Sequence, residues 1–462
     1  MAYGPRLIKH VGKFPVFFLL GIAGVFRLSA EVLIPADNAN INYYGRVDFS
    51  IPAQPAFNWS GTTIEAAFSG PSIGVSLTDG NCNYDIEIDG VRGSAVITQS
   101  GVTHYTFATG LSNSAHTVRM VQRTENHWNK NIFKGFYLAD GNTLLTPPVK
   151  PLRKIEFVGD SHLAGYGVES PDQSCTQPEY RTFSNANEGY GRLVSRAFHA
   201  QDILLGWSGA GMVRNYGDTA KKSAQPFPYH YGQTLGEAGG VWDFARYIPD
   251  LVVIALGTND FSTTPYPDDT MYVNGYHKFI TTVLGHYPGA EILCVSSHTG
   301  RTDPLIAQVV AAETTSLGHP NIHYGAFPTG LSWTGCDWHP SVQDQALIAK
   351  ALIGPIMKMT GWDTSSTAVS FNPIMSTPEF RLGLPVMTAS VVTFHASFMS
   401  GGEYRFRIMD LRGRVIFSSG EAVRAGEARQ IRWNSAGMGS GMYVAVIAMH
   451  GMKMPVKFVL SR

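Results

Sequence analysis

Four short clusters in this 462-residue chain carry residues able to do chemistry together. Gly159-Asp160-Ser161-His162 follows the apolar run that ends at Val158. A serine at a strand-to-helix turn exposes its hydroxyl, and nearby N–H groups point at whatever it attacks. Trp207-Ser208-Gly209-Ala210-Gly211 follows a second apolar run. Glycine lets the backbone approach a ligand closely, and its N–H can hydrogen-bond an oxyanion. Gly257-Thr258-Asn259-Asp260 follows a third run, where the Asn259 amide is a further oxyanion donor. Gly335-Cys336-Asp337-Trp338-His339-Pro340-Ser341 precedes a helix-like stretch. His339 can take a serine proton and return it to a leaving group. Each cluster alone has a plain structural reading. Asp-Ser is a common helix cap, Gly209 suits an ordinary turn, Asn259 suits a satisfied loop, and a lone histidine is more often structural. Their order and their recurrence at successive strand ends make the set specific. Cys336, Asp337 and His339 lie too close together for a metal set, and no partner ligand pair stands elsewhere. No metal and no cofactor is expected.

The elements that must carry these clusters follow from periodicity. Residues 31–150 read as short alternating strands: Val47-Asp48-Phe49, Ile64 to Phe68, Ile73 to Leu77 and Tyr84 to Ile88. Turn signals at Ser69-Gly70-Pro71 and Asp89-Gly90 separate them, which predicts a β-sandwich. Pro147-Pro148 and Pro151 form a stiff link. Over 151–360 the pattern changes to short apolar runs, Ile155 to Val158, Ile203 to Leu205, Leu251 to Leu256 and Ile292 to Val295. Helical segments such as Gly191 to His199 and Tyr276 to Leu284 lie between them. This predicts an α/β domain with a buried parallel sheet, whose ligands bind beyond the carboxyl ends of the strands. Residues 361–380 are rich in Ser, Thr and Pro and read as a linker. Residues 381–462 return to alternation at Tyr404 to Met409, Val415 to Phe417 and Tyr443 to Ile447, predicting a small C-terminal β-sandwich.

Composition narrows the class. The hydrophobic fraction of 44% and charged fraction of 15% suit folded, soluble domains. The formal net charge is zero, so nothing global argues for nucleic acid. From Arg381 to Arg462 there are 11 Lys/Arg against 4 Asp/Glu, an asymmetry that identifies no partner. Residues 1–30 read as an export signal: Arg6, Lys9 and Lys13, an apolar run from Phe14 to Phe26, then Leu28-Ser29-Ala30. That run is shorter than the ~20 residues of a membrane-spanning helix, and no later segment is long and apolar enough, so the mature chain is expected to have no transmembrane span. Export permits disulfides among Cys82, Cys175, Cys294 and Cys336, but spacing leaves every pairing and buried free thiols open.

The four clusters resemble the SGNH hydrolases, named for Ser, Gly, Asn and His in that order. The resemblance implies a flavodoxin-like three-layer domain with Ser161 as nucleophile, His339 as base, and an oxyanion hole from the Ser161 N–H, Gly209 and Asn259. Residues 40–355 more closely resemble carbohydrate esterase family 2, through GRVDFS, TIEAAFSG, IEFVGDSHLAGYG, WSGAGMVRNYGD, WDFARYIPDLVVIALGTNDFS and GCDWHPS. This implies an N-terminal jelly roll joined to the SGNH domain and an acetylxylan-esterase type of activity. The partner would be acetylated plant cell-wall polysaccharide. Aromatic rings near the serine would bind the substrate, with Tyr216, Trp207 and Trp338 as candidates; each tryptophan also suits a core. Most SGNH enzymes place a triad aspartate three residues before the histidine, where this chain has Cys336. Asp337 stands two residues before His339. Either it orients the ring, or a backbone carbonyl does so and leaves a Ser–His dyad.

In the C-terminal piece, YRFRIMDLRGRVIF, RQIRWNS and SGMYVAVI resemble sorting domains of the type IX secretion pathway. That would make secretion machinery a partner and the product extracellular or cell-surface in a bacterium. An accessory or carbohydrate-binding module is the alternative. Other functions compatible with the clusters are an SGNH esterase on a lipid or peptidoglycan O-acetyl group, and a non-catalytic glycan-binding protein. The intact Ser161, Gly209, Asn259 and His339 argue against the last.

Overall fold

The computed structural model describes residues 30–78, 82–126, 128–175, 179–297, 300–364, 380–382, 386–387, 390–398, 400–410, 414–449 and 452–460. The expected export signal lies outside the described residues except for Ala30, and so does most of the expected linker.

From Glu31 to Leu145 the chain forms two antiparallel sheets. One is ordered Glu31–Pro35, Asn131–Ala139, Ile73–Thr78, His104–Ala108. The other is ordered Leu144–Leu145, Thr63–Ser69, Ala115–Gln122, Asn83–Ile88, Val91–Arg92. In Thr63–Ser69, Ile64, Ala66 and Phe68 are buried while Glu65, Ala67 and Ser69 are partly exposed. The period of two puts one face into a core shared with Val75, Leu77, Phe133 and Phe136 of the opposite sheet. Val47-Asp48-Phe49, expected as a strand, contributes only an isolated bridge from Asp48 to Ala56. Its short alternation is too brief to hold a ladder.

The middle of the chain is a three-layer α/β unit. Its strands are β1 (Arg153–Gly159), β2 (Ala200–Gly206), β3 (Leu251–Ala255), β4 (Glu291–Ser296) and β5 (Ile322–Ala326), all parallel, in the order β2-β1-β3-β4-β5. Ser161–Ala164 forms a single turn, α1; α2 is Tyr190–Ala197, α3 Asp269–His286, α4 Thr302–Thr315 and α5 Val342–Thr360. Strand side chains alternate between faces. Val252, Ile254 and Ile292 pack with Tyr276 and Ile280 of α3 and Ile306 and Val309 of α4. Val253 and Leu293 pack on the other face with Val194 of α2 and Ile348 and Leu352 of α5. This strand order has its switch between β1 and β3, where the crevice of such a sheet opens.

The two units are interlocked. Trp59 of the sandwich belongs to the core cluster around α3 and donates its indole N–H to the Thr234 carbonyl at 2.9 Å. Arg46 pairs with Glu156 of β1 at 3.3 Å, and both side chains are fully buried. Arg192 of α2 pairs with Asp202 and also reaches the Gly61 carbonyl.

Beyond residue 380, two four-stranded antiparallel sheets enclose Phe394, Phe406, Trp433 and Phe458. Among the described residues no helix is long and apolar enough to cross a membrane.

Candidate active site

The carboxyl ends of β1, β2 and β3 converge on one spot. Ser161 is the first residue of α1, and the Asp160 carboxylate caps that turn by accepting from the His162 N–H at 3.0 Å. Across the crevice, the loop before α5 presents His339, whose Nε2 lies 2.8 Å from Ser161 Oγ. The other ring nitrogen faces two backbone carbonyls, those of Cys336 at 2.9 Å and Asp337 at 3.2 Å. An Nδ1–H donating there leaves Nε2 as the acceptor that a general base needs. The Asp337 carboxylate turns away and accepts from the Tyr166 hydroxyl at 2.8 Å. It makes no hydrogen bond or ion pair with His339. Burial lowers the His339 pKa, opposed by its two carbonyl partners and by the charges of Asp337 and Glu125.

The candidate donors stand just past the ends of β1, β2 and β3. The N–H groups of Ser161 and Gly209 donate to no other described residue. Gly209 has φ +82°, a conformation that favours glycine. A Cβ there would meet only Tyr216 Cβ, at 4.0 Å, so the space over its backbone is open. Asn259 is buried and gives one amide hydrogen to the Ala210 carbonyl at 2.9 Å. The bond ties the end of β3 to the Gly209 loop and leaves the second amide hydrogen unused by it.

Of the three expected substrate platforms, Tyr216 is 62% and Trp338 67% exposed. Trp207 is not a platform. Its indole is 6% exposed and packed between Trp59 and His230, because the seam between the two units needs a large apolar filler there.

Family models match both units. The carbohydrate esterase 2 N-terminal model covers residues 43–148, and the GDSL-like lipase/acylhydrolase model covers 157–335, ending before His339. The chain is 34% identical to the cellulase/esterase CelE of Acetivibrio thermocellus over 71% of its own length, but spans only 40% of CelE. It is 30% identical to an acetylxylan esterase/glucomannan deacetylase of Cellvibrio japonicus, covering 74% of this chain and 98% of that one. The chain belongs to carbohydrate esterase family 2. A solved family 2 esterase from Clostridium thermocellum, in complex with cellohexaose, superimposes with a TM-score of 0.65 at 33% identity, covering 70% of this chain and 99% of that one.

This family 2 carboxylic ester hydrolase has site residues that cluster reading did not single out. Glu125, on the sandwich, accepts from the Ser208 N–H at 2.9 Å, next to Gly209. Its charge also acts on His339 and Tyr166. Asp260 accepts from the N–H groups of Met212, Val213 and Arg214 at 2.8–2.9 Å and so shapes the loop after β2. Burial pushes its carboxyl up to about 6 while those three donors hold it down. Burial pushes the Asp160 carboxyl up to about 7. Cys175 and Cys336 are disulfide-bonded across 161 positions, while Cys82 and Cys294 are buried and lie outside that bridge. The bridge and the Cys336 N–H to Gly167 carbonyl bond at 3.1 Å anchor the loop that carries His339. Asp260 had a local signal, as the last residue of its cluster. Glu125 had none.

Proposed function

We propose that this chain removes O-acetyl groups from hemicellulose, xylan or glucomannan, through an acetyl-enzyme on Ser161. The observation that carries the reading is the 2.8 Å contact from Ser161 Oγ to His339 Nε2, with the N–H groups of Ser161 and Gly209 beside it. His339 takes the Ser161 proton as Oγ attacks the acetyl carbonyl. The Ser161 and Gly209 N–H groups and the Asn259 amide stabilise the oxyanion. His339 then protonates the departing sugar oxygen, and the acetyl group stays on Ser161. Water, deprotonated by His339, attacks the acetyl carbonyl, and acetate leaves with the proton returned to Oγ. The Cys336 and Asp337 backbone carbonyls hold the imidazolium that forms in each half, and the Asp337 charge stabilises it through space. Tyr216 and Trp338 are the exposed rings against which a sugar can lie. The likeness to the acetylxylan esterase/glucomannan deacetylases of Cellvibrio japonicus supports xylan and glucomannan as the acetylated polymers.

The test is the acid released: acetate from acetylated xylan, acetylated glucomannan and an O-acetylated peptidoglycan, and fatty acid from a long-chain lipid ester. Wild type is expected to release acetate from the first two and Ser161→Ala from none. Release from peptidoglycan or lipid alone would overturn the reading.

Residues 1–30 fit export and residues 381–462 fit a sorting or accessory module. Deleting the latter in a bacterium with type IX secretion is expected to strand the enzyme inside the cell; unchanged export would refute sorting.

A further inference from the structure

A second cavity, of about 440 Å³, lies on the seam between sandwich and α/β unit. Lys154, Gln201 and Asp202 line it near the starts of β1 and β2, whereas Ser161 follows the end of β1. A strand of that length advances ~3.3 Å per residue, so the cavity opens about 20 Å from the nucleophile, at the opposite edge of the sheet. Its size is that of a small-molecule site, ~300–1,000 Å³.

Its chemistry is specific. Lys150, Lys154 and Arg246 line it, and none forms an ion pair with a described residue. Each is held over aromatic rings. Lys150 Nζ stands 4.9 Å from the Tyr44 centroid, Lys154 Nζ 5.7 Å from Tyr247, and the Arg246 guanidinium 5.0 Å from Phe49 and 5.4 Å from Trp242. Rings position cations without neutralising them. The nearby carboxylates have other partners: Asp250 accepts from the Lys154 backbone N–H, Asp202 Oδ1 is bound to Arg192, and Glu65, whose charge acts on Lys150, lies 3.4 Å from Arg119.

Lys150 and Arg246 also donate to the Tyr43 and Val47 carbonyls at 2.9 and 3.2 Å, which orients them without cancelling their charge. Three cations with no ion-pair partner among the described residues call for an anion. The half-buried rings beneath them call for C–H surface. An inorganic anion supplies only the first. A sugar acid supplies both: a carboxylate for the cations and an apolar ring face for the aromatic rings. We infer that this seam cavity binds a uronic-acid residue of an acidic saccharide. A chain held there and at Ser161 would be engaged at two points, which raises its effective concentration at the esterase site.

The inference is independent of the activity proposed above, and direct binding tests it. The full chain is titrated calorimetrically with a xylotetraose carrying one glucuronic acid, with unsubstituted xylotetraose and with sulfate. The variants are Lys154→Glu and Arg246→Ala, and their thermal unfolding midpoints report folding. The uronate oligosaccharide is expected to bind at least ~10-fold more tightly than the neutral one, a preference of the size one charge-assisted hydrogen bond can supply. Either variant should abolish that preference without shifting unfolding. Equal binding of both saccharides, or a preference that survives both variants, would overturn the inference. Sulfate competing as strongly as the uronate would show a general anion site and overturn it as well. Arg246 is exposed at the end of a single 3-10 turn, Phe244–Arg246, so it serves if Lys154→Glu unfolds the chain.

Discussion

His339 leans on two backbone carbonyls, and that sets what each nearby substitution costs. Replacing Ser161 or His339 with Ala removes the proposed nucleophile or proton carrier, and kcat on a soluble acetyl ester should fall by at least ~10³-fold. Asp337 acts on the ring only through space, so Asp337→Ala should cost under ~10-fold, the scale of a partly screened charge. Equal loss in Asp337→Ala and His339→Ala, with both folded, would make Asp337 a triad member. The pH profile carries a further sign. The base works neutral, so kcat/KM falls as pH drops through its pKa, which burial places below the ordinary histidine value. The Glu125 carboxylate favours the imidazolium and raises that pKa. Glu125→Gln should therefore move the acid limb to lower pH while keeping a partner for the Ser208 N–H; an unmoved limb would remove Glu125 from the electrostatics of the base.

Strand ends and the loops that follow them form the next scale. Asn259 ties β3 to the Gly209 loop through the Ala210 carbonyl, and in the proposed mechanism it also offers an amide hydrogen to the oxyanion. Asn259→Ala should lower kcat by ~10²- to 10³-fold with a far smaller change in KM, as for other single oxyanion donors. A change confined to KM would contradict that role. Gly211 is a stricter position: an added Cβ would lie 1.9 Å from the Arg214 carbonyl oxygen and 2.6 Å from Asp260 Oδ2. Ala there must open the loop that Asp260 holds. The same elements show what was legible in sequence. Apolar runs followed at once by Gly159-Asp160-Ser161, Ser208-Gly209 and Gly257-Thr258-Asn259 are local signals, because a parallel sheet delivers every strand end to one edge. Glu125, Tyr166 and the Cys175–Cys336 bridge were not legible. Each meets the site from far along the chain, and nothing in the residues around it records the partner. Trp207 misled for a related reason: an indole beside a functional glycine serves a core as readily as a ligand, and only burial separates the two.

On the scale of the whole molecule, the sandwich is part of the enzyme's core rather than an appended module. Trp59 sits among the residues packed on α3, and Arg46 enters the α/β unit to pair with Glu156 while donating to the Tyr231 and Gln233 carbonyls. Removing the sandwich would leave Glu156 as a buried charge whose remaining hydrogen-bond partner is the neutral Tyr231 hydroxyl. Breaking a buried pair from one side costs ~3–5 kcal/mol, a large share of the ~5–15 kcal/mol that holds a domain folded. The carboxyl-terminal boundary is different. Among the described residues, the last hydrogen bonds and ring contacts that tie the chain to the α/β unit are Trp362 against Phe198 and Arg153, and Asp363, which accepts from Arg153 through its carbonyl and its carboxylate, each at 2.7 Å. A cut should therefore follow Asp363, beyond the end of α5 at Thr360. Residues 30–364 should fold, unfold in urea at the midpoint of the α/β unit in the full chain, and hydrolyse a soluble acetyl ester at an unchanged rate. Residues 151–364 should not fold. Arg46→Ala in the longer piece should lower its stability by ~3–5 kcal/mol. A folded, active 151–364 fragment would show that the shared core is dispensable; an inactive 30–364 fragment would show that the C-terminal sheets complete the esterase.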